Sequence, residues 1–541
     1  MLCLSAILFI PAFAQKKAQT NPATAIYQKG MALAKKNDFA GAIAEFEKAV
    51  KANPKYYEAF IALGMAQQQI QSYSSSVEAF RQAIALRPKS AQPRIMLGSL
   101  YQQLNDADSA LNEYNEALKF EPSLADVRLA IGFLLAVKNQ LPEAITQFEM
   151  AITLKPTLAQ AHFYLGTAKY FSNDPASAIK SLTQAAKLMP TNAEAFYYLG
   201  LAYGKMGNLN SAITSLKQAI KLVPQFLEAR QSLAQAYMAD ANLDGAGDEF
   251  REVIKLKPDY VQGYNDLGLV LIEKRLPDEA ITTFRKALDF EPNNTLVRHN
   301  LGIALIQKAD FAAAVKNYQD LIQLTPDDAV AYYNLSLALK SQDKFDEALV
   351  TVRKAIELQP DKLPELHYTH GVILLQQAKL EESASAFQKA IVIKPDYGEA
   401  IYTLGTVRQQ QGKLDEAISQ FRAALKFNPE APEIYNTLGA ALRAKGDTEG
   451  SRTALQEAAR LNKLKTNRQG ATFSLNTGLA NLKAGKIDEA IAQFENVVNL
   501  TPNNAEGFYN LAKALKLKGK TIEANSAYKK AKELNPNIKP L

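Results

Sequence analysis

Residues 398–431 read GEAIYTLGTVRQQQGKLDEAISQFRAALKFNPEA, and two helical patterns lie within them. Leu404, Gly405 and Arg408 lie along the first. Ala417, Phe421, Ala424 and Leu425 stand at i, i+4, i+7 and i+8 in the second, one face of an amphipathic helix. Gly412 breaks the chain between the two, and Pro429 closes the unit before the next helix. Helices whose axes approach to about 8–10 Å need small residues where they cross. Gly405, Ala417 and Ala424 supply them.

The stretch is one copy of a repeat. Prolines stand at 54, 88, 122, 156, 190, 224, 258, 292, 326 and 360, always 34 residues apart, and resume at 395 and 429 after one inserted residue. Lys463 takes the next proline slot, and five extra residues precede Pro502 and Pro536. A small-residue register runs in parallel through Gly30, Gly64, Gly98 and their successors, with Ala234, Ser336 and Ala512 in three of the slots. The registers define fifteen units between residues 23 and 538.

Period, glycine, paired alanines, aromatic and proline recurring together resemble the tetratricopeptide repeat family over nearly the whole chain. The resemblance implies an all-α fold, a right-handed α-solenoid superhelix of tandem helix-turn-helix repeats, each burying its apolar face against its neighbours. The family's Trp near the start of the first helix is replaced, by Ile26, Phe60, Arg94, Arg128, His162, Phe196, Arg230 and Tyr264 in the first eight repeats.

Composition excludes several function classes. The 541 residues carry 62 Lys plus Arg against 55 Asp plus Glu, a net +7 too thin for the basic stripe of a nucleic-acid binder. One cysteine, Cys3, excludes a disulfide framework and any multi-thiolate metal site. At the N-terminus, the apolar run Leu2–Ile10 precedes Ala12-Phe13-Ala14, a small-x-small cleavage pattern, although no Lys or Arg precedes the run. Residues 1–14 are therefore expected to be a signal peptide and 15–22 a short leader. Localisation is then periplasmic or secreted, or cytoplasmic if the leader is not a functional signal.

The array has irregular places. Two positions of the second helix normally face the next repeat, as Ile281 with Leu288 and Ile418 with Leu425; in the last repeat they become Asn525 and Lys532, the expected polar C-terminal cap. Arg452 and Ala459 fill them in repeat 13, just before the basic stretch Lys463-Leu464-Lys465-Thr466-Asn467-Arg468. The expected organisation is repeats 1–13 over 23–463, an insertion at 464–470 that is either a weakened joint or a loop extension, and repeats 14–15 over 471–538.

No catalytic constellation emerges, and neither cofactor nor metal is expected. His367 and His370 have metal-ligand spacing on one helix face, but both occupy packing slots of the repeat and no third ligand accompanies them. The recurring Asp-Glu-Ala, as at Asp415-Glu416 and Asp278-Glu279, opens second helices, where carboxylates oppose the helix dipole favourably.

In the family, a face of the first helix that includes its fifth and sixth positions lines the concave groove. The fifth carries Tyr197, Tyr333, Tyr368, Tyr402 and Tyr509, and the sixth carries Asn300, Asn334, Asn476 and Asn510. An Asn side chain donates to and accepts from a peptide backbone at once, and a Tyr ring binds at low entropic cost. These nine are the candidate groove residues. Thr369, Thr403 and Thr437 interrupt the asparagines, so the resemblance to the asparagine-lined arm of O-linked N-acetylglucosamine transferases is partial. The expectation is a non-enzymatic scaffold that binds protein or peptide segments and organises a bacterial cell-envelope assembly, with no nucleic-acid partner. The alternatives are a recognition arm for a separately encoded glycosyltransferase and a chaperone-like binder of unfolded envelope proteins.

Overall fold

The computed structural model describes residues 22–360 and 362–541. The expected signal peptide, Cys3 and all but the last residue of the leader lie outside the described residues. The described residues form 29 α-helices and no strand. They alternate as the repeat requires: in repeat 12, Gly398–Gln410 is the first helix and Leu414–Phe427 the second. Among the described residues no helix is long and apolar enough to cross a membrane. The helices fall into two compact units, one ending at Lys274 and the other running from Arg275 to Leu541.

Each helix pair is locked by the small residue in the eighth position of its first helix. A Cβ built on Gly405 would stand 2.7 Å from Cε1 of Phe421, and one on Gly132 would stand 2.6 Å from Cε1 of Phe148. Both aromatic rings are fully buried. The glycine register thus exists because a core side chain presses on the backbone of the partner helix, an aromatic ring in most of these repeats and Leu182, Leu216 or Leu455 over Gly166, Gly200 and Gly439. Ala417 and Ala424, also fully buried, flank that ring.

The turn inside each repeat needs one left-handed residue. Gly207, Gly412, Gly446, Gly485 and Gly519 supply it in five repeats. Four others use Asn37, Asn105, Asn139 and Asn173, whose side chains tolerate this region. Ala241, Ala309 and Ala378 adopt it as well, at φ of 56°, 62° and 58°. The next residue often caps the second helix: Asp106 Oδ1 accepts from the Ser109 amide at 3.1 Å, and Asp310 Oδ1 from the Ala313 amide at 3.2 Å. The first-turn carboxylates also meet a lysine of the following repeat, as in Lys138–Asp108 at 2.5 Å and Lys308–Asp278 at 2.6 Å.

The insertion between repeats 13 and 14 corrects the loop reading. Thr448–Lys483 is a single helix of 36 residues that runs straight through 464–470 and fuses the second helix of repeat 13 to the first helix of repeat 14. The physical reason lies in Lys463. Proline closes the other repeats, and without it the run from Leu464 to Gln469 offers nothing that stops a helix.

Candidate inner-face site

The missing Trp is replaced by a set of donors. Arg128 Nε, Arg230 Nε and Arg298 Nε donate to the carbonyls of Pro122, Pro224 and Pro292 at 3.3, 3.0 and 3.0 Å. The Tyr264 hydroxyl reaches Pro258 O at 3.0 Å, and His162 Nε2 and His367 Nε2 reach Pro156 O and Pro360 O, each at 2.9 Å. A planar or ring side chain with one N–H or O–H thus satisfies the carbonyl of the preceding proline. Arg230 extends the link to the second helix, binding Glu249 at 2.6 Å, and Arg94 makes the equivalent ion pair with Glu113 at 3.1 Å. His367 is spent on this structural bond. Burial lowers the pKa of His370 to about 4, helped by Arg353, whose Nε donates to His370 Nε2 at 3.4 Å. Among the described residues no three His, Cys, Asp or Glu are grouped to hold a metal.

The fifth and sixth positions form a chain of contacts from repeat to repeat. The Tyr402 hydroxyl lies 3.1 Å from Oγ1 of Thr437, fifth position to the sixth of the next repeat. The Tyr197 and Tyr368 hydroxyls stand beside Ser232 and Thr403, the same pair of positions. His299 takes the tyrosine's place in the fifth position of repeat 9: Asn334 Nδ2, in the sixth position of the next repeat, lies 3.3 Å from its Nε2. Burial lowers the His299 pKa and so favours the neutral ring, whose unprotonated nitrogen can accept. Tyr368 also donates to Glu399 Oε1 at 2.8 Å, and burial, reinforced by this carboxylate, raises its pKa to about 12.

Rings brace the same positions. Tyr368 lies 5.5 Å from the core Phe387 and 5.3 Å from Tyr397 between repeats. Tyr402 lies 5.8 Å from Phe421, and Tyr197 lies 4.9 Å from Phe226. Each candidate tyrosine is half-buried.

The nine candidates therefore separate. In the second unit, Tyr333, Asn334, Tyr368 and Tyr402 stand half-exposed on successive first helices from Ala329 to Gln410, and the last three are held by neighbours. Tyr197 repeats the arrangement in the first unit. Asn300 and Asn510 are buried at 7% exposure, and Asn510 Nδ2 donates to the Glu506 carbonyl within its own helix. Asn476 is exposed but belongs to the fused helix. Tyr509 is half-buried in the last first helix. The sequence did not signal that serine and threonine at the sixth position complete the tyrosine bonds. It also missed a cleft of about 690 Å³ between the second helices Phe311–Leu324 and Phe345–Leu358, with Tyr332 and Arg353 in its wall.

Tetratricopeptide repeat models match residues 27–91, 95–159, 193–226, 232–295, 299–363, 364–397 and 505–538, and TPR repeat models match 172–207, 407–446 and 478–519. The chain is a tetratricopeptide repeat protein. No curated protein matches it. Among solved structures, this repeat protein is similar to yeast Tom70 at 17% identity, covering 78% of this chain and 96% of that one with a TM-score of 0.35. It is similar to YrrB, described as a TPR protein with an unusual peptide-binding site, at 22% identity over 34% of this chain and 96% of that one, TM-score 0.32. MamA from Desulfovibrio magneticus RS-1 matches at 22% over 31% and 96%, TM-score 0.31. At these scores the likenesses add nothing to the family assignment. As a tetratricopeptide repeat protein the chain is a scaffold for protein–protein interaction.

Proposed function

We propose that the protein binds extended protein or peptide segments along the first-helix face of its second unit, without catalysis, and that it does so in the bacterial envelope. The observation that carries this is the run of Tyr333, Asn334, Tyr368 and Tyr402, all partly exposed, of which Asn334, Tyr368 and Tyr402 are held by bonds such as Tyr402–Thr437 at 3.1 Å. Side chains held before the ligand arrives lose little entropy on binding. Asn334 uses one of the four hydrogen-bonding capacities of its amide on His299, so capacity for a backbone is left over. The envelope location rests on the apolar leader alone.

Affinity capture of the chain from its own cells, beside a Tyr333→Ala, Asn334→Ala variant, tests the reading. Asn300 is too deeply buried to serve in such a variant. A stoichiometric set of envelope proteins lost in the variant supports it. A copurifying glycosyltransferase instead favours the recognition-arm alternative, and a diffuse set of unfolded chains the chaperone alternative. Recovery of the intact leader in the cytoplasm overturns the location.

A further inference from the structure

Junctions between successive repeats follow one rule. The third and tenth positions of a first helix are buried wherever a repeat precedes them, from Ala59 and Ala66 through Ala400 and Val407. They rest on the end of the preceding second helix: a Cβ on Gly507 would stand 2.6 Å from Val497 and 3.4 Å from Val498. Repeat 14 departs from the rule. Phe473, in its third position, is 71% exposed, and Ala480, in its tenth, is exposed. The matching side of repeat 13 is bare too, with Arg452 and Ala459 exposed. Leu455 is only half-buried, although Phe387, Phe421 and Phe494 at the same place in other repeats are fully covered.

The fused helix causes this. Ala459 and Phe473 are fourteen residues apart, about 21 Å along a continuous helix, so the two halves of the junction cannot meet within one chain. Their shapes nonetheless match. Elsewhere a large residue ending the second helix, such as Ile220 or Ile391, precedes a small one, Ala229 or Ala400. Here the sizes are exchanged, Ala459 against Phe473. At about 100° per residue, Arg452, Leu455, Ala459, Thr466, Phe473, Thr477 and Ala480 also fall on one stripe of the helix, about 80° wide.

We infer that a second copy of this chain covers the stripe, the two 36-residue helices packing antiparallel about a two-fold axis at Thr466. Phe473 then fills the space over the partner's Ala459, Thr477 meets the partner's Leu455 and Ala480 meets the partner's Arg452, each pair made twice. These are the pairs that a folded-back repeat 14 would make within one chain. The basic residues find neutral counterparts: Arg460 stands opposite the partner's Thr472, Lys463 opposite the partner's Gln469 and Lys465 opposite the partner's Asn467. No cation opposes a cation along the axis.

Sedimentation velocity on the full chain across micromolar concentrations tests this, with Phe473→Arg and with Thr466→Cys in a Cys3→Ser background. The expected results are a wild-type dimer, a monomer of unchanged helicity for Phe473→Arg, and a disulfide-linked dimer on mild oxidation of Thr466→Cys. If Phe473→Arg aggregates, the cross-link at the exposed Thr466 decides. A monomer at every concentration, a dimer that survives Phe473→Arg, or a failure of Thr466→Cys to cross-link overturns the inference.

Discussion

Small differences at single positions decide what this chain tolerates. Gly405 lies under the Phe421 ring, and a methyl group there would push into an immobile aromatic. Gly405→Ala is expected to destabilise by about 1–3 kcal/mol, through overpacking. Gly204 has nothing within 4 Å of its missing Cβ and lies in the helix Ala193–Lys205, so Gly204→Ala is expected to stabilise by up to about 1 kcal/mol. Urea midpoints of the two variants check both signs. His370 makes the array sensitive to acid. Its folded pKa of about 4 lies below the ordinary imidazole value of 6.5, so the unfolded chain binds more protons between these values. The neutral ring's contribution is complete above pH 6.5 and is lost as pH falls toward 4, on the order of 2 kcal/mol after solvent screening of a half-buried ring. His370→Leu should flatten that part of the pH profile in urea titrations; an unchanged slope would assign the acid sensitivity elsewhere.

At the scale of the element, the turns and the fused helix carry the testable content. Ala241, Ala309 and Ala378 hold left-handed turns without the freedom of glycine, at a cost of about 1–2 kcal/mol each. Ala309→Gly and Ala378→Gly are expected to raise the thermal midpoint, as glycine already does at Gly412 and Gly446. Lys463→Pro should end the helix Thr448–Lys483 early and open 464–470 to trypsin, whereas the wild-type chain resists cutting at Lys465 and Arg468. The sequence displayed the helix pairs well, because a ring over a glycine and a proline after each second helix leave a 34-residue trace. The left-handed alanines were illegible, since tertiary packing imposes their conformation against local preference. The fusion was illegible for a related reason: Lys463 was visible in the proline slot, but an insertion of helix formers reads equally as loop or helix until neighbours are in place.

For the whole molecule, the family assignment makes it a scaffold, and the inner-face residues suggest where a ligand sits. The individual candidates were only partly legible. Tyr368 and Tyr402 were recognisable by register, and the Tyr402–Thr437 bond gives threonine a role at one of the places where it interrupts the asparagines. Asn300 and Asn510 had the right register but proved buried, because a sixth-position side chain can turn into the repeat as well as out of it. The most direct measurement is photocrosslinking in cells, with a photoreactive residue placed at Tyr333 or Tyr402 and, as control, at Val392, which is 77% exposed on the second helix Leu380–Ile393. Discrete crosslinked protein species are expected from Tyr333 and Tyr402 and none from Val392. Equal labelling from all three positions, or labelling from Val392 alone, would contradict the inner-face site.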